Sequence, residues 1–104
     1  MLLETAFLCL ALNTYHEAKN QSMVGQIAVA EVVMNRVADS RYPNSVCEVV
    51  KQGPKYKGSD VPVRHKCQFS WFCDGKSDEP RRDSKEWRMA QEYARIVLSG
   101  RIVL

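Results

Sequence analysis

Two apolar stripes at helical spacing constrain this chain most. Leu3, Phe7, Leu10, Ala11 and Thr14 form the first, and Ile27, Ala30, Met34 and Val37 form the second. The spacing predicts helices over residues 3–18 and 23–39. The polar segment "KNQ" separates them, and Asn20 or Ser22 can cap the second helix. Ala28, Val29, Val32 and Val33 widen its stripe, which predicts a central helix. Gly25 near its start would admit another backbone closely, at some cost in helix propensity.

Beyond residue 39 the signals shorten. Pro43 holds Tyr42 out of the helical region and ends the second helix. Asn44 or Ser45 can cap a short third helix over "VCEVVKQ". Residues 53–66 are rich in Gly, Pro and basic residues and read as a long surface loop, a common place for function. "CQFSWFCDG" is short and aromatic and ends in an Asp-Gly turn signal, so a strand or irregular hairpin is expected there. Asp83 or Ser84 opens a last helix to Ser99, with Glu86 placed as in a capping box and Gly100 as the stop. Trp87, Ala90, Ala94, Val97 and Leu98 form its buried stripe. The tail "RIVL" is apolar.

A length of 104 residues points to one domain, residues 1–104. Hydrophobic content of 45% and charged content of 26% exclude a disordered chain, and no apolar run is long enough for a membrane span. The net charge of +3 is compatible with a polyanionic partner without requiring one. The basic loop with Tyr56 carries no nucleic-acid motif, so no nucleic-acid partner is expected. The opening "MLLETAFLCLALN" lacks a basic leader and carries Glu4, so it reads as a helix of the fold rather than a signal peptide.

There are four cysteines. Cys9 lies within a helix pattern and reads as a small buried hydrophobe. Cys67 can bridge Cys73, and Cys47 can bridge either. Three thiolates with His65 would make a tetrahedral zinc set, but without any Cys-x-x-Cys pair. No metal or other cofactor is expected.

Glu17 ends the first helix. It is either a solvated helix end or a partly desolvated acid able to protonate a leaving oxygen. His16 lies about 100° around the helix, so it packs or lines a cleft rather than pairing with Glu17. In a strand, Gln68 and Ser70 would share one face, and Phe69 and Trp71 the other. That pattern suits sugar binding, or a core with a solvated face.

"YHEAKNQSMVGQIAVAEVVMNRVADSRYPNSVCEVV", followed by "CQFSWFCDGK", resembles the SleB/CwlJ-type cell wall hydrolases, which include spore cortex-lytic enzymes. The carrying residues are Tyr15, Glu17, Ala18 and Ser22, Gly25 to Val37, Tyr42-Pro43, Ser45-Val46, and Gln68 to Trp71. The resemblance implies a mainly α, lysozyme-like fold with a small β hairpin. It implies cleavage of the β-1,4 bond between N-acetylmuramic acid and N-acetylglucosamine in peptidoglycan. Glu17 takes the position of the catalytic acid. Tyr15, Gln68, Ser70 and Trp71 fall where the glycan binds, and Asn35-Arg36 is an architectural pair. Gln21 stands where the family usually has a second glutamate. The family also usually continues past "LSG" with a further segment, which this sequence lacks. The implied partner is the glycan strand, met by a monomer at the bacterial wall, in the periplasm, in the spore cortex or after delivery by a phage.

Glycosidases generally use two carboxylates, and no obvious partner for Glu17 is visible; the facing of Glu31 is open. A single acid suffices in a lytic transglycosylase, where the muramic acid C6 hydroxyl is the nucleophile, so that reaction is favoured. The rivals are a non-catalytic glycan-binding or structural wall protein and a zinc-stabilised module.

Overall fold

The computed structural model describes residues 5–100. The start of the first expected helix and the apolar tail lie outside them. The elements are α1 (Ala6–Ala18), α2 (Met23–Val37), α3 (Val46–Val50), a 3-10 turn (Ser70–Cys73) and α4 (Lys85–Ser99).

Every α-helix opens on a hydroxyl cap. Thr5, Ser22, Ser45 and Ser84 accept from the backbone N–H groups of Leu8, Gly25, Glu48 and Trp87, at 3.1–3.3 Å. The second cap is thus Ser22 rather than Asn20, and the last is Ser84 rather than Asp83. Ser45 also donates to the Glu48 carboxylate at 2.8 Å, closing that cap from both sides. Gly100, with φ 71°, ends α4 in the left-handed region that glycine enters without a Cβ clash.

α1 packs against α2, α3 and α4. Leu10 and Ala11 lose all solvent contact there. α2 also packs against the other three helices, as expected of a central helix, but it is covered on one side only. Only Gln26, Ile27, Ala30 and Val33 are buried on it, while Met23, Val24 and Val32 stand exposed. An apolar sequence sets an upper bound on what a helix can bury, and its neighbours decide how much of that is used. Arg36 lays its guanidinium over the rings of Tyr42 and Phe69, 5.3 and 5.4 Å from their centroids, and so ties the end of α2 to two loops.

The fold is mainly helical, as expected, but the β element is displaced. "CQFSWFCDG" folds as a 3-10 turn. The only bridge among the described residues is antiparallel, Lys55 to Pro62, inside the basic loop. The loop closes on itself through Tyr56 N–H to Val61 O and Val63 N–H to Pro54 O, both 2.9 Å. A 3-10 turn satisfies Trp71, whose ring must turn inward next to half-buried Phe72; a flat strand would send these two neighbours to opposite faces.

The cysteines form two disulfides, Cys9–Cys47 and Cys67–Cys73. Cys9 is therefore a staple between α1 and α3 rather than a free buried thiol, and the zinc reading falls because its thiolates are consumed. Among the described residues no helix is long and apolar enough to cross a membrane.

Candidate active site

Leu10, Asn13 and Thr14 lie on one stripe of α1 and are fully buried. Glu17 continues that stripe by i+3 and i+4, yet it is exposed. The cover over this face therefore stops between Thr14 and Glu17. A carboxylate at such an edge is partly stripped of water. Burial raises the Glu17 pKa above the ordinary carboxylate value, and the charge of neighbouring His16 pulls weakly the other way.

Trp71 forms part of the cover. Its indole Nε1–H donates to Asn13 Oδ1 at 2.8 Å, across 58 residues of chain. Its ring stacks on His16, with centroids 4.5 Å apart and planes 17° apart. His16 Nε2 lies 2.9 Å from the Asp78 carbonyl oxygen. A carbonyl can only accept, so the proton of that hydrogen bond sits on Nε2. Tyr15 is buried; its hydroxyl accepts from Arg81 N–H at 3.2 Å and its ring meets Trp87 edge-on at 5.8 Å. Tyr15 and His16 thus anchor the loop between the 3-10 turn and α4 to the end of α1.

The structure brings Glu17, Tyr15 and Trp71 together around His16. Tyr15 and Trp71 are 6% and 8% exposed, so they shape the site from beneath rather than offer open ring faces to a sugar. Gln68 and Ser70 are exposed on the segment that carries Trp71. A recess of about 350 Å³ opens beside the α1–α2 corner, lined by Asn20, Gln21, Gln26 and Tyr93 among others. Gln21 Oε1 lies over Gly25, in the space a Cβ there would need.

Two contributors escaped the sequence reading. One is Asn13, visible in principle as a polar residue on an apolar stripe. The other is Asp78, whose half-buried carboxyl is raised in pKa by burial and by Asp74, against the pull of His16 and Lys51. Among the described residues no group of three or more His, Cys, Asp or Glu side chains is placed to hold a metal.

The cell wall hydrolase family model matches residues 20–103, most of the chain, beginning just after Glu17. No curated protein and no solved structure matches. Glu17 thus stands near the end of α1 with its carboxyl partly desolvated, next in sequence to the His16 ring that stacks on Trp71. The chain belongs to the cell wall hydrolase family.

Proposed function

We propose that the protein cleaves the β-1,4 bond between N-acetylmuramic acid and N-acetylglucosamine as a lytic transglycosylase, with Glu17 as its one acid/base. The carrying observation is that Glu17 ends a buried stripe at the point where its cover stops. The raised pKa lets it hold a proton at a pH where an ordinary glutamate is ionised.

The protonated carboxyl donates to the glycosidic oxygen as the C1–O bond breaks, leaving the N-acetylglucosamine 4-hydroxyl. The muramic acid C6 hydroxyl then attacks C1 and gives its proton to the Glu17 carboxylate. A 1,6-anhydro end forms, no water is consumed and the acid is regenerated. Gln21, an amide at the family's second-glutamate position, can take no part in proton transfer but can hydrogen-bond a sugar. Gln68 and Ser70 contact the glycan, while Tyr15 and Trp71 hold the platform beneath it.

Asp78 supports a second reading. A half-buried carboxylate joined to His16 through its own backbone is a candidate for the second carboxylate of a hydrolase.

The test is digestion of purified peptidoglycan with mass analysis of the products. Wild-type protein is expected to release anhydro-muropeptides, and Glu17→Gln to lower release by about a hundredfold or more. Unchanged release by Glu17→Gln sinks the assignment. Reducing ends in place of anhydro ends replace transglycosylation with hydrolysis and turn attention to Asp78.

A further inference from the structure

A second recess of about 500 Å³ lies between α3, the basic loop and the 3-10 turn, within the range of small-ligand pockets. Phe72 and Pro62 give it apolar walls, and Glu48, Lys51, Lys55 and Asp60 set two carboxylates and two ammonium groups around them. The proton transfers at Glu17 use none of these groups.

Ring contacts connect this recess to the catalytic end of α1. Phe72 meets Trp71 edge-on at 6.0 Å, Trp71 stacks on His16 at 4.5 Å, and His16 precedes Glu17. The Lys51 ammonium lies 5.7 Å from the Phe72 centroid. Burial lowers the Lys51 pKa while the Asp78 charge supports its proton. Lys55 and Asp60 are exposed and 4.0 Å apart, a weak pair that a ligand can replace without much loss.

Charges of both signs around an apolar wall do not match a neutral sugar. They match the other component of peptidoglycan, the stem peptide carried by the muramic acid lactyl group. That peptide has free carboxylates and, where its third residue is a diamino acid, an ammonium group on a short alkyl chain. We infer that this recess binds the stem peptide. Lys51 and Lys55 take its carboxylates, Glu48 and Asp60 its ammonium group, and Phe72 and Pro62 its alkyl chain. The inference rests on Glu17 acting on peptidoglycan, and it makes the enzyme selective for strands that still carry their peptides.

Two measurements test it. First, nuclear magnetic resonance of the intact protein is followed with a disaccharide-tetrapeptide containing diaminopimelate, and separately with the peptide-free disaccharide. The peptide probe is expected to shift the Phe72 ring and Lys55 signals; absence of that shift overturns the inference. Second, cleavage is compared on peptide-bearing strands and on strands stripped by an amidase. Wild type is expected to prefer the former by about tenfold, and Lys55→Glu, at an exposed position, to bring the ratio towards one. A wild-type ratio near one overturns the inference and leaves the role of Glu17 standing. If neither strand is cleaved, the role of Glu17 falls, and the resonance shifts still decide the recess.

Discussion

The Trp71 ring lies against His16 and at the same time holds Asn13 through its indole N–H. One side chain thereby fixes two residues of α1 within a turn of Glu17. The Asn13 Oδ1 acceptor is satisfied, whereas its Nδ2 is buried without a partner. Trp71→Phe keeps an aromatic ring and removes the donor. It is expected to cost about 1–3 kcal/mol, because a buried polar group then has nothing to bond. Replacing both residues, as Asn13→Leu with Trp71→Phe, should recover much of that loss. Urea unfolding of wild type and the two variants measures it, and equal loss in the single and the double variant would refute the account.

Glu17 should set opposing trends in stability and activity. Its pKa is higher folded than unfolded. Below the unfolded value both states hold the proton and the site is neutral. As pH rises, the unfolded chain ionises first, so stability falls until the pH passes the raised folded value. Glu17→Gln removes that fall. The variant should gain melting temperature relative to wild type as pH rises through this window while losing cleavage. Asp78 shifts in the same direction but is present in both proteins, so it cancels in the difference. Wild-type cleavage should decline on the alkaline side of the same window.

The Cys9–Cys47 bridge spans 38 residues and joins α1 to α3. Constraining a loop of that size in the unfolded chain contributes roughly 3–4 kcal/mol on a chain-entropy view. Cys9→Ser with Cys47→Ser should therefore lower the melting temperature by well over ten degrees, or prevent folding at body temperature. The short Cys67–Cys73 loop should contribute less. Calorimetry of the two double variants ranks them, and the reverse order would contradict this.

Gly75 turns the chain with φ 81°, and a Cβ there would run into the Arg64 guanidinium. Gly75→Ala is expected to destabilise by about 1–2 kcal/mol from backbone strain alone. Gly58 also has positive φ but faces open space, so Gly58→Ala reports the backbone cost without the clash. The guanidinium ends a flexible, exposed side chain that can swing aside, so thermal melts of the pair should show losses of similar size.

The helices were legible because caps and periodicity are local: Ser22, Ser45, Ser84 and Gly100 all act within a turn of their own position. The failures involve distant partners. Cys9 has the same neighbours in sequence whether it bonds Cys47 or packs as a hydrophobe. An inward Trp71 with Gln68 and Ser70 solvated was one of the two readings of "QFSWF", but nothing within that segment reports that Asn13 and His16 are the partners. Asp78 sits in a polar run, "DGKSDE", where burial leaves no pattern; only the fold brings it to His16. The place of Glu17 near the end of the first helix was legible from the apolar run before it, whereas its desolvation depended on where the cover over α1 ends.

The loop beside Glu17 is anchored at its main chain. His16 reaches the carbonyl of Asp78, and the Tyr15 hydroxyl takes the N–H of Arg81. These anchors are indifferent to which side chains the loop carries. Ser77, Glu79 and Arg82 are exposed between or beside them. The exposed side chains of this loop can therefore change, and with them the charge near Glu17, while Tyr15, His16 and Trp71 keep their places. Variation among descendants of this chain should concentrate there, one residue at a time, without passing through an unfolded intermediate.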